Sequence, residues 1–144
     1  MQIDRVDQQI ISILQQDGRT SNYEMAGTLK VSEGTVRNRI RKLSESGVLA
    51  VKGLVNPEKV DGKQMIFLGA KVAVSSDLEK AAGAISKLKD VKSVCVVAGR
   101  YDLLIELFVA PGKMMSFISG PLASTGTVIS TESFVGLKCY RKWV

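Results

Sequence analysis

Apolar residues recur at helical spacing near the start of the chain and predict two helices. The first spans residues 3–16, where Asp4 can cap the start and Asp17-Gly18 can end the helix. The second begins at Ser21-Asn22-Tyr23-Glu24, which fits the Ser-x-x-Glu capping box, and it ends near Lys30. Both carry their apolar residues on one side, so each is expected to pack against a core.

A third helix follows after only a few residues, with Ser32 as its N-cap and Gly47 as its stop. At about 100° per residue, Val36, Ile40 and Leu43 fall on one side and face a core. Polar and basic residues occupy the opposite side and its flank: Thr35, Arg37, Asn38, Arg39, Arg41 and Lys42. Two helices joined by so short a connection predict a helix-turn-helix.

The outer side of the third helix has two interpretations. An isolated run of cations is most often a solvated helix face. In a three-helix setting, guanidinium groups suit phosphates and guanine edges, and an amide suits adenine, so a DNA-reading helix is the favoured interpretation. The candidate DNA contacts are Ser32, Thr35, Arg37, Asn38, Arg39, Arg41, Lys42 and Lys52.

Lys52 belongs to a stretch that follows the third helix. Residues 48–55 alternate around Lys52-Gly53 as a small β-hairpin would, which predicts a wing. Asn56-Pro57 breaks that pattern, and residues 58–63 are polar, which indicates a linker. We therefore predict a winged helix-turn-helix domain over residues 1–60 and a second domain over residues 61–144.

The second domain reads as βαββαβ. Strands are predicted over residues 65–74, 91–98, 102–109 and 128–135, and helices over residues 77–88 and 111–122. Residues 137–143 are expected to add an edge strand. The order predicts an α+β, ferredoxin-like domain, in which helices cover one face of an antiparallel sheet.

One face of that sheet is left without helices. Apolar residues of the strands are candidates for one face or the other: Val72, Val74, Val94, Val96, Leu104 and Leu107. A monomer could not hide both faces, so self-association is expected.

Composition excludes several classes of chemistry. Histidine is absent, which removes the commonest general base and any Ser/His or Cys/His nucleophile. Cys95 and Cys139 support neither a disulfide framework nor a metal site, and buried thiols are expected. The longest apolar run, residues 94–98, is too short for a membrane span, and no signal peptide is evident, so we expect a cytoplasmic protein.

Charge adds a local signal. The chain has 20 basic and 14 acidic residues, a net charge of +6. Residues 1–60 carry nine basic and seven acidic side chains, a net of +2, and residues 61–144 carry eleven and seven, a net of +4. Four of the first nine cations lie between Arg37 and Lys42. Concentration in one helix, rather than net charge, therefore points to a nucleic-acid partner.

These features resemble the Lrp/AsnC, or feast/famine, transcription regulators over nearly the whole chain. The helical half matches at Asp7, Asp17-Gly18-Arg19, Ala26, Val31-Ser32, Thr35-Val36, Arg39, Leu43 and Gly47-Val48-Leu49. The second half matches at Gly99-Arg100-Tyr101-Asp102-Leu103, like the family's Gly-x-Tyr-Asp turn, and at Thr131-Glu132-Ser133-Phe134-Val135, like its Thr-x-Thr strand. Lys30 replaces the family's usual Gly or Asn, so a slightly different turn is expected there.

The resemblance implies a dimer that pairs its sheets, often assembled into tetramers or octamers, and an amino acid or related metabolite bound at subunit interfaces. The candidate effector residues are Gly99, Arg100, Tyr101, Asp102, Thr131 and Ser133. Turn N–H groups can hold the carboxylate, and Asp102 can hold the ammonium group if the turn does not already engage it. The alternative is that Gly99, Tyr101 and Asp102 only shape the turn.

The favoured function is therefore a sequence-specific regulator that binds double-stranded DNA and itself, is modulated by an amino acid, and contacts no membrane. Neither a cofactor nor a metal is expected. A low-specificity, chromatin-like DNA-coating protein is one alternative. A tetrapyrrole decarboxylase resembling this family is another, but histidines are prominent in those active sites and none exists here.

Overall fold

The structure is a computed structural model that describes residues 2–73 and 78–144. The chain divides into two units, one reaching to Gly53 and the other beginning at Leu54. The domain boundary predicted near residue 60 is thus several residues C-terminal to this division. The backbone accounts for the difference, because Val55 and Val144 exchange hydrogen bonds of 2.9 and 3.1 Å and tie the linker to the end of the chain.

The first unit contains the three predicted helices: α1 (Arg5–Gln16), α2 (Asn22–Leu29) and α3 (Glu33–Glu45). Asp4, Ser21 and Ser32 cap their starts, as predicted. Each cap accepts an N–H that has no partner inside its helix. The three helices enclose one apolar core, whose buried members are Ile10, Met25, Ala26, Val36 and Leu43.

The connection between α2 and α3 keeps a left-handed residue. Lys30 ends α2 with φ 55° and ψ 44°, and the Val31 N–H donates to the Ala26 carbonyl at 3.1 Å. Glycine adopts this conformation without steric cost, whereas a side chain with a Cβ does so at about 1 kcal/mol or more. Lysine at this position therefore leaves the left-handed turn in place.

The predicted wing is wrong. Residues 48–56 contain no strand. The Val48 and Leu49 N–H groups instead donate to the Leu43 carbonyl, at 3.0 and 3.1 Å, and finish the C-terminus of α3. Val51 and Leu54 are exposed, and Val55 exchanges its backbone hydrogen bonds with Val144, so the two arms of the predicted hairpin do not pair with each other.

The second unit has the predicted βαββαβ order. It comprises β1 (Gln64–Val72), α4 (Leu78–Ile85), β2 (Val91–Val96), β3 (Leu103–Val109), α5 (Lys113–Phe117) and β4 (Val128–Val135). After α5 the chain continues as a π-helical turn and then a 3₁₀ turn, which ends at Thr125. The strands pair antiparallel in the order β2-β3-β1-β4. The predicted end of β1 at residue 74 and start of α4 at residue 77 lie outside the described residues.

Helices cover one face of the sheet only. The core beneath them includes Val72 and Leu107, with Val94 packed against it. Leu104 is on the other face. Its cross-strand partner is Gly69, which lies between the core residues Leu68 and Ala70 along β1 and therefore belongs to the opposite face. We call this the open face. Val96, at the edge, is half exposed, and the candidate Val74 lies outside the described residues.

Two smaller expectations fail. No strand forms over residues 137–143; the tail crosses the open face, where Lys142 bonds Glu106. Cys95 is exposed rather than buried, because it pairs with Leu104 on the open face, while Cys139 is half-buried. Within residues 2–73 and 78–144, no cluster of His, Cys, Asp and Glu could hold a metal ion. No helix in those ranges is long and apolar enough to cross a membrane.

Candidate functional site

The start of α3 is organised by its cap. The Ser32 hydroxyl accepts the Thr35 N–H at 3.1 Å, and the two hydroxyl oxygens lie 2.8 Å apart. Both residues therefore sit at the positive end of the helix dipole, where N–H groups suit a phosphate. Their hydroxyls are already engaged with each other.

After the cap, α3 presents exposed arginines whose ion pairs with glutamates of the same helix are weak. Arg37 pairs with Glu33 at 2.6 Å and Arg41 pairs with Glu45 at 3.1 Å, each one helical turn apart. The arginine side chains remain 67% and 59% exposed. Exposed ion pairs of this kind contribute about 0–1 kcal/mol, so phosphates can replace the glutamates at little cost. Asn38 and Lys42 are exposed beside them.

Arg39 is placed differently from the other candidates. Its guanidinium donates to the Asp4 carboxylate at 2.6 Å and to the Asp7 carboxylate at 2.9 Å. The pKa of Asp4 is lowered by the Asp7 N–H that it accepts and then by Arg39. The pKa of Arg39 is raised, chiefly by its bond to Asp4. This cation on the third helix is thus bonded to the start of the first helix.

The remaining DNA candidate, Lys52, is exposed in the extended stretch that replaces the wing. Sequence reasoning missed Asp4 and Asp7 as partners of α3, although it found Asp4 as a cap. The signal was weak, since 35 and 32 residues separate them from Arg39 and no local spacing connects the two helices.

The Gly99–Asp102 turn joins β2 and β3. Gly99 has φ 146°, which favours glycine. The Asp102 carboxylate accepts the Val72 N–H at 2.9 Å and lies 3.5 Å from the Lys71 ammonium. Its partners are thus in β1 rather than in the turn, and a role for Asp102 toward an ammonium group stays a prediction.

A cavity of about 360 Å³ lies beside the turn. Its walls are Lys71, Arg100, Tyr101, Ser130, Thr131 and Glu132. Three of the predicted effector residues are therefore together, but Gly99 and Asp102 are not in its walls. Ser133 is not in its walls either; it lies opposite Leu68 in the sheet.

Glu132 supplies the negative charge in the wall of this cavity. It was not among the effector residues predicted from the sequence. Its carboxylate accepts the Tyr101 hydroxyl and lies 3.3 Å from the Arg100 guanidinium. Lys71 supplies a second cation in the cavity wall. The available signal was its place between Thr131 and Ser133. Because every second residue of a strand shares a face, Glu132 lies on the opposite face of β4 from these two residues.

Comparison with known proteins agrees with this architecture. Residues 3–44 match the AsnC-type helix-turn-helix domain. The chain is 35% identical over 144 residues to an uncharacterised HTH-type transcriptional regulator of Pyrococcus horikoshii, covering 99% of this chain and 96% of that protein.

Solved structures share the fold. The leucine response regulatory protein LrpA of Mycobacterium tuberculosis has a TM-score of 0.82 at 23% identity, over 96% of this chain and 95% of that one. A Neisseria meningitidis transcriptional regulator in complex with L-Met has a TM-score of 0.69 at 24% identity, over 95% and 91%. Together with the three-helix unit and the βαββαβ sheet, these matches show that the chain belongs to the Lrp/AsnC family of transcriptional regulators.

Proposed function

We propose that this transcriptional regulator reads a specific DNA sequence through α3 and that an amino acid bound beside the Gly99–Asp102 turn modulates its assembly. The observation that carries the second half is the cavity whose walls hold the cations Lys71 and Arg100 together with the Glu132 carboxylate, 3.3 Å from the Arg100 guanidinium. A free amino acid carries one negative and one positive group on the same carbon atom. Cations and an anion in one cavity match that pair of charges.

The roles follow from the charges. Arg100 and Lys71 bind the carboxylate of the ligand, and Glu132 binds its ammonium group. Because Glu132 already accepts the Tyr101 hydroxyl and pairs with Arg100, it is held in place before the ligand arrives. The L-Met complex of the Neisseria regulator supports an amino acid as the ligand class.

The open face supplies the route to assembly. Leu104 and Phe134 are 42% and 46% exposed on it, with the Cys95 thiol beside Leu104. We propose that two copies pair these faces, since burying apolar area is worth about 25 cal/mol per Å². Two recognition helices would then meet one DNA site. A ligand that alters subunit association changes DNA affinity, with a coupling of about 1–3 kcal/mol.

Calorimetric titration of the full chain with the twenty amino acids tests the ligand, with light scattering to follow mass. At least one amino acid should bind and change the mass. Glu132→Gln should weaken that binding at least tenfold, because one hydrogen bond to a charged group is worth about 1.5–3 kcal/mol. Ser133→Ala is the matched control on the same strand and should bind normally. Equal binding by Glu132→Gln would overturn the assignment.

The alternatives are weaker. A low-specificity coating protein needs no effector cavity, and binding that is equal on selected and scrambled duplexes would favour it. We propose that the chain has no enzymatic activity, since its relatives are transcriptional regulators and it has no histidine for tetrapyrrole decarboxylation. Its place of action is proposed to be the cytoplasm, where bacterial and archaeal DNA is found.

A further inference from the structure

We propose that Asp4 and Asp7 are specificity-determining positioning residues: they hold Arg39 of the recognition helix away from DNA. The inference extends the proposed sequence-specific function, because it concerns which cations of α3 take part. The sequence pattern groups Arg39 with the DNA contacts, and the geometry separates it from them.

The contacts are built on a buried acid. Asp7 is 5% exposed overall, and its carboxylate meets both the Arg39 guanidinium at 2.9 Å and the Asp4 N–H at 3.1 Å. Asp4 in turn accepts the Asp7 N–H at 2.9 Å and Arg39 at 2.6 Å. The two carboxylates are thus fixed by each other's backbone. Both accept from the same guanidinium nitrogen, Arg39 Nη1, and a single Arg39 leaves the group with a net charge of −1.

Arg39 would reach the DNA-facing surface if it were released. It lies four residues after Thr35 and three before Lys42, so the three form one stripe on the helix. A cavity of about 460 Å³ joins this stripe to the two acids; its walls include Gln2, Thr35, Asn38 and Lys42. The acids therefore stand at the margin of the surface that carries the DNA candidates.

Withholding one cation affects the two kinds of DNA binding unequally. Non-specific affinity comes almost entirely from phosphate neutralisation, whereas specific affinity adds contacts to base edges. Keeping Arg39 bound to the two acids therefore lowers the non-specific affinity more than the specific affinity. The adjacent carboxylates also repel any phosphate placed along that margin, which restricts the registers the helix can adopt.

The test measures salt dependence. Full-length wild type, Asp4→Asn and the Asp4→Asn/Asp7→Asn double variant are titrated at several salt concentrations against a duplex that wild type selects from a random library and a scrambled duplex. The double variant should steepen the slope of log K against log[salt] by about one on the scrambled duplex and by less on the selected duplex, where contacts to base edges carry part of the affinity. It should also bind the scrambled duplex about threefold tighter at low salt, which reduces discrimination. Asp4→Asn should fall between.

Three controls isolate the mechanism. Asp17→Asn makes the same single charge change as Asp4→Asn at an exposed helix end, where the carboxylate accepts the Arg19 N–H, and should leave the slope unchanged. Arg39→Gln should keep the wild-type slope. Adding Arg39→Gln to the double variant should cancel its steeper slope. A merely structural role for the acids would lower affinity without changing the slope.

Two results would overturn the proposal: a folded double variant with the slope of Asp17→Asn, or an Arg39→Gln variant whose slope falls by about one. The second remains decisive if the double variant fails to fold in a thermal melt. Wild type that binds both duplexes equally would instead contradict sequence-specific function, and the slopes would still report on Arg39.

Discussion

The ring of Tyr101 lies directly over Gly69. A Cβ placed at Gly69 would stand 2.6–2.7 Å from three carbons of that ring, which is closer than side-chain carbons approach one another. Tyr101 also meets Phe134 edge-on, with ring centroids 6.4 Å apart, and donates its hydroxyl to Glu132. The absence of a side chain at Gly69 therefore permits Tyr101 to reach the carboxylate of the proposed effector cavity.

Gly69→Ala should displace Tyr101 and weaken effector binding. The forced methyl costs about 1–3 kcal/mol of unfolding free energy, as in other overpacked sites. Denaturant unfolding and calorimetric titration measure the two effects. Gly83→Ala is the matched control, because among the described residues nothing beyond its own helical turns lies within 4 Å of the new Cβ, and α4 should gain stability from it. Effector binding by Gly69→Ala that equals wild type would separate Tyr101 from the cavity.

Lys30→Gly should stabilise the first unit by about 1 kcal/mol, because glycine accepts the left-handed conformation that lysine adopts with steric cost. Thermal unfolding of the full chain measures this. Lys30→Ala removes the same charge but keeps the Cβ, so its melting temperature should stay near that of wild type. Equal shifts in both variants would show that charge rather than backbone conformation is responsible.

The tail should loosen in acid. Lys142 donates to both oxygens of Glu106, at 2.8 and 2.7 Å. Burial raises the pKa of Glu106, but the hydrogen bonds from Lys142 and Ser93 outweigh it, and the net pKa is below its ordinary value of 4.5. A depressed carboxyl pKa adds stability that is present above the ordinary value and lost as pH falls through the lower folded value.

Fluorescence of Trp143, the only tryptophan, reports this loosening. Its emission should change as the pH falls below about 4.5 in wild type. Glu106→Gln should lack that transition and show the loosened signal at neutral pH. Glu79→Gln, on the exposed surface of α4, should titrate like wild type. An identical transition in Glu106→Gln would assign the acid response to another group.

Local signals explain how much of the fold was predictable. The side chains of Asp4, Ser21 and Ser32 each accept the N–H of the residue three positions later. The starts of the three helices could therefore be predicted from local sequence. The strand β4 was predicted with its observed bounds because alternating β-formers and Gly126 define both ends. The prediction of a wing failed because the Val48 and Leu49 N–H groups complete the end of α3 and Val55 bonds Val144, and the alternation over residues 48–55 contains no information about either partner.

The candidate sites were predictable only as neighbourhoods. The turn motif found Arg100 and Tyr101, but whether Asp102 was available depended on Val72, thirty residues away. Arg39 likewise carries the same side chain as Arg37, and its contacts with Asp4 and Asp7 distinguish the two. Such long-range contacts have no periodicity in the sequence, so they emerged only from the structure.

DNA titration of a triple alanine variant at Arg37, Asn38 and Arg41 tests most directly whether α3 reads DNA. All three residues are exposed, so the variant should melt like wild type. It should lose its preference for a wild-type-selected duplex over a scrambled one, and its salt slope should fall by about two. The control is a triple alanine variant at Arg5, Gln8 and Arg19, which removes the same charges and one amide from other exposed positions and should retain the preference. A folded α3 variant that binds and discriminates like wild type would contradict the account.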